Sequence, residues 1–121
     1  MNSIIVEETR RLNGTFEILD LTFEKYGLEL IGKGVKIELD EQELEVMYEF
    51  VIKDKPKIYE DGVNIIVNMY NEDNIILLHK SEYYDDESLD DVMSESFKFE
   101  KIDIHELTNI KKIRIYVTKS N

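Results

Sequence analysis

The sequence contains no cysteine, and this absence excludes several kinds of functional site. Without cysteine, the chain has no disulfide framework, no thiolate metal site and no cysteine nucleophile. Histidine is scarce as well, because His79 and His105 are the only two in 121 residues. Any zinc site would need these histidines as ligands, so we expect the protein to bind no metal and no other cofactor.

The sequence is also poor in the residues that build catalytic loops. It has five glycines and one proline, and it has no alanine or tryptophan. No glycine belongs to a Gly-x-Ser-x-Gly elbow or a phosphate-binding loop, and no His-Glu-x-x-His motif is present. We therefore expect a protein that is not an enzyme. A small carboxylate-dependent hydrolase stays open as an alternative, because paired catalytic carboxylates are scattered in sequence.

Acidic residues dominate the charge of the chain. The formal net charge is −12 and the isoelectric point is about 4.5. Such a charge repels nucleic acids and anionic membranes and favours basic partners. Residues 38–49 contain six acids and no base, and residues 82–95 contain seven acids and no base. Each cluster is either a solvated face that keeps the protein soluble or a contact surface for a basic partner.

The length and the first residues of the chain indicate a single cytoplasmic domain. A chain of 121 residues and 14.3 kDa is long enough to bury about two thirds of its unfolded surface as one domain, so we expect one domain over residues 1–121. The apolar run from Ile4 to Val6 stops at Glu7, which fits neither a secretory signal nor a membrane span. Abundant isoleucine, lysine and asparagine are typical of AT-rich genes and indicate a low-GC bacterium or its phages.

Three turn signals predict an N-terminal antiparallel meander. Asn13-Gly14 suits a type I′ hairpin turn, Gly27 follows a second turn, and Gly32 suits a type II′ turn. Together these turns give one apolar face, because side chains alternate along a strand. We therefore expect four strands over residues 2–39 with two cross-strand rows, which are Ile4, Phe23, Leu28 and Ile37, and Val6, Leu21, Leu30 and Val35.

A helix is predicted directly after this meander. Asp40 and Glu43 have the spacing of a capping box, and Pro56 ends the helical pattern. We expect the helix to cover residues 41–53 and to pack on the apolar face of the meander. Its inner stripe has the spacing i, i+3, i+4 and i+7 and consists of Leu44, Met47, Tyr48 and Val51.

The second half of the chain predicts further strands and short helices. In order, we expect a strand at 57–59, strands at 63–69 and 75–78 joined by a turn at 71–74, a short helix within 82–95 packed by Leu89, Val92 and Met93, a strand at 96–102, a helix at 104–110 capped by Asp103, and a strand at 112–118. The strand at 75–78 is apolar on both faces, so we place it centrally. The predicted fold is α+β, a single domain with a mainly antiparallel sheet, one main helix packed on it and one or two short helices.

The candidate contact residues lie in the two acidic clusters. Three glutamates fall four residues apart on the outer side of the predicted helix. Two tyrosines precede the second cluster, and exposed aromatic side chains beside carboxylates are good anchors for a basic partner. A calcium-binding EF-hand loop is excluded there, because the cluster contains no glycine. The predicted contact residues are Glu41, Glu45, Glu49, Tyr83, Tyr84, Asp85, Asp86, Glu87, Asp90 and Asp91.

These observations predict a non-catalytic binding protein. We expect an inhibitor whose acidic surface masks a basic, nucleic-acid-binding surface of a partner protein such as a nuclease. Immunity proteins against toxins and phage inhibitors of host defence nucleases are similar in charge and size. The alternative is a structural or oligomerising protein of a phage or mobile element, since long strands with free edges allow a homo-oligomer.

Overall fold

The computed structural model describes residues 3–54, 62–85 and 91–119. These residues form three helices and seven strands, so the prediction of an α+β fold is confirmed. The helices are α1 (Ser3–Asn13), α2 (Asp20–Lys25) and α3 (Ile104–Asn109). The strands are β1 (Phe16–Ile18), β2 (Leu28–Glu38), β3 (Glu43–Ile52), β4 (Val63–Tyr70), β5 (Ile76–Tyr84), β6 (Val92–Phe99) and β7 (Lys112–Lys119).

The strands form two sheets that share one core. A four-stranded sheet has the order β1-β7-β4-β5, and a three-stranded sheet has the order β2-β3-β6. Only β1 and β7 pair in parallel, while the other described pairings are antiparallel. The inner faces of the sheets meet where the ring of Phe50 packs edge-on against Tyr84, with ring centroids 5.5 Å apart.

The segment Ser3–Asn13 is helical where the sequence predicts the first strand of the meander. Asn13-Gly14 ends α1, and the backbone nitrogen of Gly14 donates to the carbonyl oxygens of Arg10 and Arg11 at 3.2 and 3.0 Å. An Asn-Gly pair suits a helix C-terminus as well as a hairpin turn. The helical alternative also gains an ion pair between Glu8 and Arg11 one turn apart. The predicted first strand is therefore wrong.

The two apolar rows of the predicted meander do not form. Leu21 lies on α2 and is 78% exposed, so it does not face Leu30 of β2. Gly27 has a φ of +75° and follows the end of α2, where its backbone nitrogen donates to the carbonyl of Glu24 at 3.0 Å. Gly32 lies within β2 beside a register shift, so it makes no turn. Both glycines lie at irregular backbone positions, but neither forms the hairpin turn that the sequence predicts.

The predicted main helix over residues 41–53 is wrong, because this segment forms β3. From Glu43 to Phe50 the residues alternate between outward positions and buried Leu44, Val46 and Tyr48, which is the two-residue period of a strand. The apparent capping box belongs to a tight turn in which Gln42 has a φ of 52°. The apolar residues fit both the helical spacing and the strand period. The strand forms because β3 pairs with β2 on one side and with β6 on the other.

The hairpin of β4 and β5 is confirmed, but its position in the sheet differs from the prediction. Asn71 builds the turn, since its Oδ1 accepts hydrogen bonds from the backbone nitrogens of Asp73 and Ile75 at 2.9 and 3.0 Å. β5 lies at the edge of the sheet, whereas β4 and β7 are central. The predicted strand at 57–59 lies outside the described residues.

The final third agrees with the sequence except at its start. The predicted helix within residues 82–95 is wrong where it can be compared, because β5 extends to Tyr84 and Val92 already belongs to β6. Helix α3 is confirmed, and Asp103 Oδ1 accepts from the backbone nitrogen of Glu106 at 2.8 Å. The last two strands are confirmed with their predicted inner residues buried, which are Phe97, Phe99, Ile113, Ile115 and Val117.

Candidate functional site

The outer face of the three-stranded sheet carries two predicted contact residues side by side. Glu45 and Glu49 occupy alternate positions of β3 on either side of Met47, and all three point away from the core because their neighbours in the strand are buried. A strand rises about 3.3 Å per residue, so the two carboxylates flank the thioether of Met47 along one line. The sequence predicts these glutamates on a helix, but a spacing of four also keeps them on one face of a strand.

Small residues on both sides of β3 leave a trough above this line. Gly34 of β2 and Ser96 of β6 pair with Met47 in the two ladders. Gly32 and Ser94 pair with the next outward residue of β3. The trough has a volume of about 580 Å³, and Met47 is 38% exposed on its floor. We call this feature the acidic trough and define it by Gly32, Gly34, Glu45, Met47, Glu49, Ser94 and Ser96.

Hydrogen bonds from β6 hold the two carboxylates in place. Ser96 donates its hydroxyl to Oε2 of Glu45 at 2.8 Å, and Ser94 donates its hydroxyl to Oε2 of Glu49 at 2.5 Å. Each hydroxyl engages one carboxylate oxygen, and a carboxylate has several lone pairs that accept further bonds. The arrangement therefore presents two oriented acceptors to any donor that enters the trough.

The nearby lysines make their closest contacts with other groups, although Lys36 stands opposite Glu45 in the pairing of β2 and β3 and is also attracted by its charge. The ammonium of Lys36 lies 3.2 Å from Glu38, which raises the pKa of Lys36 through a hydrogen bond, and Lys98 lies 4.0 Å from Glu43. Lys33 borders the trough, but its ammonium lies over an aromatic ring of β1 at 5.9 Å from the centroid. Within residues 3–54, 62–85 and 91–119, no lysine or arginine forms an ion pair with either trough carboxylate.

The remaining predicted contact residues do not join the acidic trough. Glu41 is exposed in the turn between β2 and β3. Tyr83 is 48% exposed on β5, in the other sheet. Tyr84 is buried between the sheets and is therefore no surface anchor. Asp85 is half-buried after β5, and Asp91 is exposed just before β6. The last three predicted residues, Asp86, Glu87 and Asp90, lie outside the described residues.

The opposite surface of the protein carries a polar network that the sequence did not reveal. On the outer face of the four-stranded sheet, buried Asn68 donates to the hydroxyls of Tyr70 and Tyr116 at 3.3 and 3.1 Å, and its Oδ1 lies 2.5 Å from Nδ1 of His79. The guanidinium of Arg114 lies 5.1 Å from the centroid of the Tyr70 ring. The sequence shows the alternation of polar and apolar residues in β4 and β7, which predicts a polar outer face. It does not show the register that brings the side chains of this network together.

An ion pair between Arg114 of β7 and Glu17 of β1 extends this network to the edge strand β1. Arg114 donates from Nε to Oε1 of Glu17 at 2.6 Å, and Lys112 lies 3.7 Å from the other oxygen of the same carboxylate. The hydrogen bond from Arg114 holds the pKa of Glu17 below its usual value. These contacts join three neighbouring strands, so they stabilise the four-stranded sheet and need no ligand to explain them.

No family model matches the chain, and a comparison with curated proteins finds no match. Among the described residues, no group of three histidine or acidic side chains is placed to hold a metal ion. None of the described helices has both the length and the apolar character needed to cross a membrane. The acidic trough combines two oriented carboxylates with an exposed thioether, and it is the candidate site on which the proposal below is based.

Proposed function

We propose that this protein is a non-catalytic inhibitor that binds a basic surface of a partner protein through the acidic trough. The observation that carries the proposal is the pair of carboxylates of Glu45 and Glu49, held by serine hydroxyls on either side of exposed Met47. Oriented carboxylates that form no ion pair with a described lysine or arginine are suited to a cationic partner, because such a partner can donate to their remaining lone pairs.

The chemistry of the trough favours arginine or lysine side chains as its occupants. The aliphatic stem of such a side chain packs on the thioether of Met47, while its charged end donates to the carboxylates. Arginine fits this arrangement better, because its planar guanidinium offers several donors in a fixed geometry. The glycines of β2 remove steric obstruction on one side, and an approaching backbone has room there.

The charge of the whole chain supports a narrower class of partner. A net charge of −12 on a small protein steers it towards strongly basic surfaces and speeds association. Basic surfaces of this kind are common where proteins bind nucleic acid. We therefore propose a nuclease or another nucleic-acid-binding protein as the partner, with its nucleic-acid groove covered by the acidic face.

Affinity capture with paired charge variants tests this function. The immobilised protein is exposed to lysate of a low-GC bacterium and to lysate of phage-infected cells, at low and high salt. The test variant is Glu45→Lys with Glu49→Lys, and the matched control is Glu72→Lys with Glu100→Lys. The control residues are exposed outside the trough, and both variants change the net charge equally. A basic protein retained at low salt by the wild type and the control, but lost from the trough variant, supports the proposal.

Competition with nucleic acid tests the class of partner separately. If the partner's nucleic-acid groove is covered, a short DNA duplex releases the captured protein, and the free protein inhibits the partner's activity on that duplex. A ternary complex with DNA would instead show that the trough binds another surface. Retention that is the same for both variants at every salt concentration would contradict a role for the acidic trough.

A further inference from the structure

The two carboxylates of the acidic trough lie closer together than their positions in β3 require. Glu45 and Glu49 are four residues apart in the strand, so their Cα atoms are separated by about 13 Å. Ser94 pairs directly with Glu49 and donates to it, but Ser96 pairs with Met47 and donates to Glu45. The side chain of Glu45 therefore leans along the strand towards Met47.

The two serines of β6 set the spacing of the carboxylates. Ser94 and Ser96 project from the same face of β6 two residues apart, which corresponds to about 6.6 Å along a strand. Each serine hydroxyl is bonded to one carboxylate. The two negative charges are therefore separated by about 7 to 9 Å, which is well short of the separation of the Cα atoms in β3.

The hydrogen bond from Ser96 also draws Glu45 away from two lysines. Lys36 of β2 and Lys98 of β6 stand opposite Glu45 in the two ladders. Their ammonium groups lie 3.2 and 4.0 Å from the carboxylates of other glutamates. The carboxylate of Glu45 thus keeps lone pairs that can accept from an incoming cation on the side of Met47.

A narrow channel runs over β2 beside these carboxylates. Gly34 stands opposite Met47 and Gly32 stands opposite Glu49, so neither position of β2 carries a side chain. A Cβ on Gly34 would lie 3.9 Å from the methyl carbon of Met47 and 3.6 Å from Oδ1 of Asn13 at the end of α1. The channel therefore has a wall on each side. It is too narrow for an α-helix, which is about 10 to 12 Å across, but it has room for an extended chain.

We infer that the acidic trough binds an extended segment of the partner that carries two basic side chains two residues apart, in the pattern Arg-x-Arg. Such side chains point to the same face of an extended chain about 6.6 Å apart, so they reach both carboxylates together. The backbone of the segment lies in the channel over β2, and the aliphatic stems of its arginines pack on the thioether of Met47. This inference rests on the proposed function, because it specifies what the acidic trough recognises.

Charge and geometry both favour this spacing over others. Two carboxylates carry two negative charges, and a single guanidinium neutralises only one of them. Adjacent arginines of an extended chain point to opposite faces, so only one of the two can enter the trough. Arginines four residues apart are separated by about 13 Å, which exceeds the separation of the carboxylates. Peptides of one composition should therefore differ in affinity according to the spacing of their arginines.

Synthetic peptides test the spacing directly. Three short peptides, blocked at both ends, carry two arginines that are one, two or four residues apart, with glycine and serine at all other positions. Their binding is measured at low salt by titration of the amide chemical shifts of the protein. We expect the peptide with a spacing of two to bind at least about threefold more tightly than either of the others, because only its arginines reach both carboxylates. The largest shifts should occur at Gly32, Gly34 and Ser96.

Two uncharged substitutions separate the spacing from the charge. Ser96→Ala removes the bond that draws Glu45 towards Met47, so it should remove the preference among the three peptides. Gly34→Ala places a methyl group in the channel, where it meets only ordinary contacts, and it should weaken the peptide with a spacing of two at least about threefold. Ser81→Ala, at an exposed serine of β5, is the matched control and should keep the preference. Far-ultraviolet circular dichroism verifies the fold of each variant.

The outcomes distinguish this inference from the proposed function. Equal affinity for the three peptides, with binding lost in Glu45→Lys with Glu49→Lys, overturns the Arg-x-Arg pattern and leaves the proposed function standing. A wild type that binds none of the peptides at millimolar concentration also overturns the pattern, and capture of a basic partner then decides on the proposed function separately. A preference that Glu45→Lys with Glu49→Lys retains shows that the peptides bind elsewhere and contradicts both.

Discussion

The hydroxyl oxygens of Tyr48 and Tyr84 lie 2.8 Å apart in the core, and this hydrogen bond joins the three-stranded sheet to the four-stranded sheet. Both tyrosines are buried, and each hydroxyl is the other's partner. A buried hydroxyl that loses its partner costs free energy, whereas removal of both hydroxyls leaves nothing unpaired. The pair therefore makes the contact between the two sheets specific.

Single and double tyrosine substitutions measure this coupling. We expect Tyr48→Phe and Tyr84→Phe each to lower the free energy of unfolding by about 1 to 2 kcal/mol. The double variant should lose less than the sum of the two, because no hydroxyl is left without a partner. Urea unfolding of the four proteins gives the double-mutant cycle. Strictly additive losses would show that the two hydroxyls do not interact.

The same tyrosines predict a loss of stability in alkaline solution. Burial raises the pKa of Tyr84 to about 12, and burial raises the pKa of Tyr48 as well. Because the folded pKa exceeds the ordinary value of 10.0, the contribution is complete below pH 10 and is lost as the pH rises towards 12. Tyrosinate absorbance should show two residues that ionise late, in step with unfolding. Ionisation of all seven tyrosines near pH 10 in the folded protein would contradict this arrangement.

Two leucines separate the observed core from the predicted one. Leu12 of α1 is fully buried, whereas Leu21 of α2 is largely exposed. We expect Leu12→Ala to cost about 2 to 5 kcal/mol because it leaves a cavity, and Leu21→Ala to change the stability by less than about 0.5 kcal/mol. Thermal or denaturant unfolding of the two variants is the measurement. A larger loss at Leu21 would restore the predicted meander and contradict the observed fold.

A side chain at position 27 should destabilise the protein, whereas a small side chain at position 32 should be tolerated. Gly27 has a positive φ, and a Cβ there would overlap the backbone oxygen of Asp54. A Cβ on Gly32 would meet only the Cβ of Glu49 at 3.6 Å, which is an ordinary contact. We expect Gly27→Ala to destabilise the protein by more than about 1 kcal/mol and Gly32→Ala to have little effect. Similar melting temperatures for the two variants would contradict the backbone geometry at the end of α2.

The ion pair between Glu17 and Arg114 should contribute stability near neutral pH and lose it in acid. The bond from Arg114 lowers the pKa of Glu17 from 4.5, so the contribution is present above pH 4.5 and is lost as the pH falls through the lowered value. Glu17→Gln should therefore lower the melting temperature at neutral pH and approach the wild type in acid. Exposed Glu24 provides the control substitution Glu24→Gln. A difference that grows in acid would have the wrong sign for this account.

Local signals in the sequence predict a helix or strand correctly where the signal fits only one backbone geometry. The helix after Asp103 and the strand from Lys112 are predicted correctly, because the capping-box spacing and the alternation of apolar residues each fit a single geometry. Asn13-Gly14 suits both a hairpin turn and a helix end, and only tertiary packing of α1 distinguishes them. The segment from Glu43 to Phe50 satisfied both the helical and the strand period, and the strict alternation of outward and buried residues was the better indicator.

The candidate site could be predicted only in part. Glu45 and Glu49 were identified from the acidic cluster, and their common face survived the change from helix to strand because a spacing of four is even. The serines that hold them come from β6, and the glycines that open the trough come from β2. The cross-strand register depends on how segments that are distant in the sequence pair, and a single sequence does not contain this information. For the same reason, the apolar run at residues 75–78 is predicted to be a central strand, whereas β5 lies at the edge of its sheet.

The association rate with the captured basic partner, measured against ionic strength, tests the central claim most directly. The claim is that Glu45 and Glu49 in the acidic trough bind and steer the partner. It predicts that the rate constant of the wild type falls steeply with salt, and that Glu45→Lys with Glu49→Lys lowers it at least about tenfold at low salt. The equally charged control Glu72→Lys with Glu100→Lys should stay within about threefold of the wild type. Equal rates for the two variants, with equal salt slopes, would contradict a binding role for the trough.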